Sequence, residues 1–146
     1  MNRPTWTEYF LSIAHLVADR SNCIRRQIGA VIVKDGRIAA TGYNGTVKGQ
    51  LNCFEGGCPR CASDIPSGEG LDNCLCVHAE ANAVAQAAQS SVSIFGGEIY
   101  LTHLPCFTCS KTLVATGIIK VYYVNDYPNK QGIDYLNSCG VEVIKV

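Results

Sequence analysis

Residues 98–124 read EIYLTHLPCFTCSKTLVATGIIKVYYV. EIYLT (98–102) is a short run of strand-forming residues. Phe107–Thr116 reads as a helix, with Pro105 at its opening, where a missing N–H costs nothing, and Gly117 as its C-cap. IIKVYYV (118–124) is the near-continuous apolar run that a buried, parallel-type strand shows. Strand, helix, strand in that order is the unit from which α/β folds are assembled.

The flanks extend this unit. Val77–Gln89 (VHAEANAVAQAAQ) is rich in alanine, the best helix former. Ala30–Lys34 (AVIVK) is a strand, Asp35-Gly36 is a hairpin turn signal, and Arg37–Tyr43 returns as the partner strand. At the N-terminal end, Thr5-Trp-Thr-Glu8 has the capping-box form. Trp6, Phe10, Ile13 and Val17 then form an apolar stripe along one helix face. His15 sits beside that stripe with no partner in view and is read as structural. Gln131–Ser138 is a short helix with Gly140 just past its end, and Val141–Val146 is a last strand. The expectation is an α/β fold: a three-layer α/β/α sandwich with a mixed five-stranded sheet flanked by helices. No repeat or linker divides residues 1–146, which are read as one domain.

Between Asn44 and Val77 the periodicity stops, and Gly, Ser and Cys become frequent. A loop of that length inside a compact domain needs a reason. The cysteines offer one. The chain has nine, at 23, 53, 58, 61, 74, 76, 106, 109 and 139. The odd count and the lack of an export-type apolar stretch in MNRPTWTEYF argue against a secreted disulfide scaffold and for metal ligation in a cytoplasmic protein. Twelve basic residues balance 12 acidic ones. Nothing there suggests a nucleic-acid tract, and no apolar run approaches the roughly 20 residues of a membrane span.

His78-Ala-Glu80 and Pro105-Cys106-Phe-Thr-Cys109 carry the chemistry. Zinc takes four ligands, and a catalytic site keeps one position for water. His78, Cys106 and Cys109 supply three. Cys106 and Cys109 are three apart, so one side of a helix start presents both. The partial positive charge of a helix N-terminus favours thiolates there. Glu80, two residues after His78, reaches the same centre only if the pair straddles a helix start. It would then lie beside the open position and carry protons, while zinc lowers the pKa of bound water towards about 7. The plain alternative is a structural Cys-Cys-His site with a fourth protein ligand. Joined together, however, the two motifs match the known His-x-Glu…Pro-Cys-x-x-Cys signature of zinc-dependent nucleobase deaminases.

On these motifs, on SNCIRRQIGAVIVKDGRIAATGYNG (21–45) and on IPSGEG (65–70), nearly the whole chain resembles the deoxycytidylate (dCMP) deaminases of the cytidine deaminase-like superfamily. The resemblance implies hydrolysis of dCMP to dUMP and ammonia, supplying thymidylate synthesis. It also implies a homo-hexamer activated by dCTP and inhibited by dTTP, with Mg²⁺ assisting nucleotide binding. For the substrate it points to Asn44 in GYNG, to Arg25 or Arg26 for the phosphate, and to Ala79, His103 and Tyr127. The residues themselves give modest support. Asn44 can donate and accept, its flanking glycines allow close approach, and arginine suits bidentate phosphate contact.

The resemblance further implies a second, structural zinc on Cys23, Cys53, Cys58 and Cys74. On spacing alone the set Cys58, Cys61, Cys74 and Cys76 is tidier; the first set is preferred because it accounts for Cys23. Cys139 is read as a small buried residue. Two other functions remain to be weighed. One is a deaminase of dCTP or of a nucleic-acid base such as tRNA adenosine, which would need a positive groove. The other is a zinc-binding module without catalysis, against which the presence of Glu80 argues.

Overall fold

A computed structural model describes all 146 residues. Helix α1 (Trp6–Ala18) precedes a hairpin of β1 (Gly29–Lys34) and β2 (Arg37–Tyr43). A short helix α2 (Pro59–Ala62) and two single-turn 3-10 segments interrupt the following loop. Then come α3 (Ala79–Gln89), β3 (Glu98–His103), α4 (Phe107–Ala115), β4 (Lys120–Asn125), α5 (Gln131–Ser138) and β5 (Glu142–Lys145). The strands form one sheet in the order β2-β1-β3-β4-β5. β1 pairs antiparallel with β2 and β3, whereas β3, β4 and β5 run parallel. The sheet is therefore mixed and five-stranded, as expected.

Side chains alternate across the sheet, and each face has its own core. Ala30, Ile32, Ile99, Leu101, Val121 and Tyr123 pack on one side with residues of α3, α4 and α5. Val31, Val33 and Tyr100 pack on the other with Phe10, Leu11 and Ala14 of α1. The helices thus form two layers with the sheet between them. On the α1 side, Tyr100 and Tyr122 stack at 4.5 Å between ring centroids, and Phe10 covers Tyr100 at 5.1 Å.

Two glycines set how closely the helices approach. A Cβ on Gly29 would overlap the Ala14 carbonyl oxygen of α1. A Cβ on Gly42 would overlap the Ala79 carbonyl oxygen and the Ala83 amide of α3. Glycine in β2 therefore lets the start of α3 lie directly on the sheet, which positions the residues just before and after it.

The α1 capping box forms as expected: the Thr5 amide donates to Glu8 Oε2 at 2.7 Å, and the Glu8 amide donates to Thr5 Oγ1 at 3.2 Å. The buried face, however, is Phe10, Leu11, Ala14 and Ala18, and Trp6 is 64% exposed. The small residues Ala14 and Ala18 bring the helix down onto Gly29, so Phe10 stays in the core, Ile13 and Val17 flank it half-buried, and only Trp6 of the expected stripe leaves it. The hairpin turn has Asp35 and Gly36 both at positive φ, 51° and 74°, the type I′ geometry that matches strand twist. Helix α3 begins two residues later than expected, with His78 as its N-cap. No helix is long and apolar enough to cross a membrane.

Candidate active site and cysteine cluster

His78 and Cys106 are the N-cap residues of α3 and α4, each with an extended backbone (φ −68°, ψ 154° and φ −70°, ψ 170°). Cys109 and Glu80 lie in the first turns of α4 and α3. This resolves the i, i+2 difficulty of His-x-Glu: the His side chain leaves from outside the helix and the Glu from within it. Helix α4 follows β3 directly, so its N-terminus sits at the end of a parallel strand, beside the point where β1 reverses the sheet direction. Ligand sites in open α/β sheets gather at such points.

His78 Nδ1 lies 3.5 Å from Cys106 Sγ and 3.4 Å from Cys109 Sγ. A tetrahedral zinc with ordinary Zn–S and Zn–N lengths gives N···S edges of about 3.6 Å. Both thiols are buried, and the three ligand atoms form a compact group with no fourth protein ligand among them. The donor set therefore fits zinc with one position left open. The Cys106 thiol is pulled down to about 4, first by the hydrogen bond from Cys109 and then by His78. Cys109, the donating partner, is pushed up. The bond to Cys106 raises the His78 imidazole against the effect of its burial. Glu80 is only 5% exposed, and burial pushes its carboxyl up despite the pull of His78.

His78, Glu80 and Cys106 open into a cleft that Arg26, Asn44, Arg60 and Tyr127 also line. Asn44 Oδ1 accepts from Ser21 Oγ at 2.7 Å and from the Ile28 amide at 2.8 Å, and Nδ2 donates to the Arg26 carbonyl at 2.8 Å. Its amide has two N–H groups, so one remains for a ligand. The Arg26 guanidinium makes no hydrogen bond within the chain and lies over the Tyr127 ring at 5.9 Å from the centroid.

Four expectations need correction. Arg25 lines the cleft, but its guanidinium is taken up by carbonyls. It donates to Cys61, Ile65 and Ser63 at 3.0, 2.5 and 2.8 Å, and to Arg60 at 3.3 Å. It ties the loop down at the end of α2, and Arg26 is the free cation of the pair. His103 does not line the cleft; its Nδ1 pairs with Thr102 Oγ1 at 3.0 Å. Cys23, Cys53, Cys58 and Cys74 do not form one compact group. The structure divides them between two groups, Cys23–Cys53–Cys61–Cys76 and Cys58–Cys61–Cys74–Cys76. The reason is that Cys61 and Cys76 sit at the middle of the cluster, where the four-cysteine reading had no place for them. Cys139 is exposed rather than buried. Ala79 is fully buried and offers only its backbone, in the first turn, where helix amides lack internal partners.

Sequence reading missed Arg60. It is 8% exposed, and its guanidinium donates to the carbonyls of Pro66 and Glu69 while lining the cleft. Its place inside Cys58-Pro-Arg-Cys61 was the available signal, since a charge held between two converging cysteines cannot swing out to solvent.

The site places the protein in the class of zinc-dependent deaminases with an α/β/α fold. Comparison with known proteins narrows that class. Residues 4–125 match the cytidine and deoxycytidylate deaminase zinc-binding region, and the chain belongs to that family. It is 44% identical over 142 residues to a deoxycytidylate deaminase of Schizosaccharomyces pombe, covering 97% of this chain and 44% of the yeast protein. The chain thus spans less than half the length of that relative. With the deoxycytidylate deaminase of Mycobacterium phage D29 it shares 43% identity over 128 residues, 84% of this chain and 97% of the phage protein. The crystal structure of the dCMP deaminase from cyanophage S-TIM5, in complex with dCMP and dUMP, superposes with a TM-score of 0.82. Identity is 41%, and both chains are covered completely.

Proposed function

We propose that this chain hydrolyses dCMP to dUMP and ammonia. The observation that carries the proposal is the buried Glu80 carboxyl beside the open Cys-Cys-His group, facing the same cleft as the unpaired Arg26 guanidinium. The full-length likeness to a dCMP deaminase solved with dCMP and dUMP supports the substrate.

His78, Cys106 and Cys109 would hold the zinc ion, which when bound supplies Lewis-acid chemistry and lowers the pKa of a water. Glu80 moves the protons. It takes one from the attacking water, passes it to the ring nitrogen, and delivers the second to the departing amine, so that water and dCMP become dUMP and ammonia. Burial favours this shuttle by pushing the carboxyl above the usual carboxylate range, so that it holds a proton more readily than an exposed glutamate. The free Asn44 N–H suits a sugar hydroxyl. Arg26, held against Tyr127, suits the phosphate, and its planar fork is matched to that anion.

A substrate panel tests the reading. Zinc-loaded protein is given dCMP, dCTP, cytidine, single-stranded DNA and tRNA, and ammonia release is followed. Fastest turnover of dCMP supports the proposal; preference for dCTP or for a nucleic acid replaces it. The dCTP activation and dTTP inhibition implied by the resemblance, and its Mg²⁺ dependence, are read in the same assay, and the hexamer from the mass of the assembly.

A further inference from the structure

Six cysteines outside the deaminase site converge on one point. Cys53, Cys58, Cys61 and Cys76 are buried, and Cys23 and Cys74 pack against them half-buried. All are free thiols. They fall into two four-sulfur groups in which every Sγ lies within 4.8 Å of the others, and the groups share Cys61 and Cys76. Cys23–Cys61, Cys58–Cys74, Cys61–Cys74 and Cys61–Cys76 are separated by 3.9, 3.8, 3.8 and 3.9 Å. The sulfur–sulfur edge of a tetrahedral zinc thiolate is about 3.8 Å, from a Zn–S length near 2.3 Å.

We infer that these six cysteines form a two-zinc cluster. Cys61 and Cys76 bridge the ions, Cys23 and Cys53 complete one, and Cys58 and Cys74 complete the other. Two four-coordinate ions can share six thiolates only if two of the sulfurs bridge, and the two common to both groups are the two at the centre. A single ion in either group would leave one buried and one half-buried thiol with no role. Sulfurs at the rim are further held by the backbone: the Leu75 amide donates to Cys58 Sγ at 3.3 Å. Such outer hydrogen bonds orient metal ligands.

The cluster gives the long loop its order. It joins the segment after α1, through Cys23, to the α2 region and to the strand-like step at Val77, which bridges Gly45. Cys76 is two residues from His78, so the cluster also fixes the approach of the imidazole to the deaminase site. Cys23, Cys74 and Cys76 line the cleft alongside Glu80.

The test is a zinc count on the whole protein. Native mass spectrometry of the zinc-loaded chain should show three ions: one on His78–Cys106–Cys109 and two on the cysteine cluster. Cys106→Ser should lose one and keep two, which separates this inference from the assignment of the deaminase site. Two ions in the parent and one in Cys106→Ser would overturn the cluster, as would disulfides among the six cysteines. Cadmium-113 substitution supplies a readout that needs no variant of the cluster. Two of the three cadmium signals should split each other through the bridging sulfurs, and unsplit signals would overturn the bridging assignment.

Discussion

The two cysteine-bearing regions use the same ligand chemistry for different ends. At the deaminase site, two thiols and one imidazole gather at the N-termini of α3 and α4. One coordination position is left to the cleft, and Glu80 stands beside it. In the other region, five thiols of the long loop and Cys23 from the segment after α1 close on one another without an imidazole or a carboxylate. The first arrangement keeps room for water and a proton carrier; the second encloses whatever it binds. What separates a reactive centre from a scaffold here is the number of ligands and the group next to them.

That contrast can be broken by single substitutions. Cys106→Ser has the largest expected effect. Deamination should fall to background, while the melting temperature shifts little, because the sheet and the cysteine cluster are untouched. A large loss of stability would mean that the site is structural. Arg26→Ala should raise KM for dCMP by about ten- to a hundredfold with a smaller change in kcat, the pattern of lost binding common to ground and transition states. An unchanged KM would remove Arg26 from the phosphate site.

Gly42→Ala tests whether the sheet positions His78. The added methyl meets the start of α3 and should destabilise by about 1–3 kcal/mol, the usual range for overpacking, with activity reduced in parallel. Urea unfolding reads the first effect and turnover the second. Cys139→Ser should do least. The residue is exposed and far from either group in sequence, so a change within about 0.5 kcal/mol is expected. A larger loss would give the ninth cysteine a role that its surroundings do not show.

Much of the fold was legible in the sequence because strand and helix punctuation is local. Asp35-Gly36, the Thr5–Glu8 capping box and Gly117 each act within a few residues, and the elements fall where those signals place them, apart from shifted ends. The convergence of His78, Cys106 and Cys109 was legible for a similar reason: His-x-Glu and Cys-x-x-Cys are short patterns set by the geometry of a helix start. The loop was not. Which of six cysteines share a centre depends on how chain segments far apart in sequence fold back on each other, and spacing carries no record of that. Arg25 and Arg26 show the same limit. They are adjacent and chemically identical, and only the carbonyls of the loop decide that Arg25 is consumed and Arg26 free.

The central claim is that Glu80 moves protons beside a metal it does not bind. Glu80→Gln keeps the size of the side chain and removes the titrating group. Its zinc content and its rate of ammonia release from dCMP, measured on the same preparation, test this most directly. The account predicts unchanged zinc with turnover lowered by about a hundredfold to ten-thousandfold, the range of general acid–base catalysis. Unimpaired turnover, or lost zinc, would contradict it.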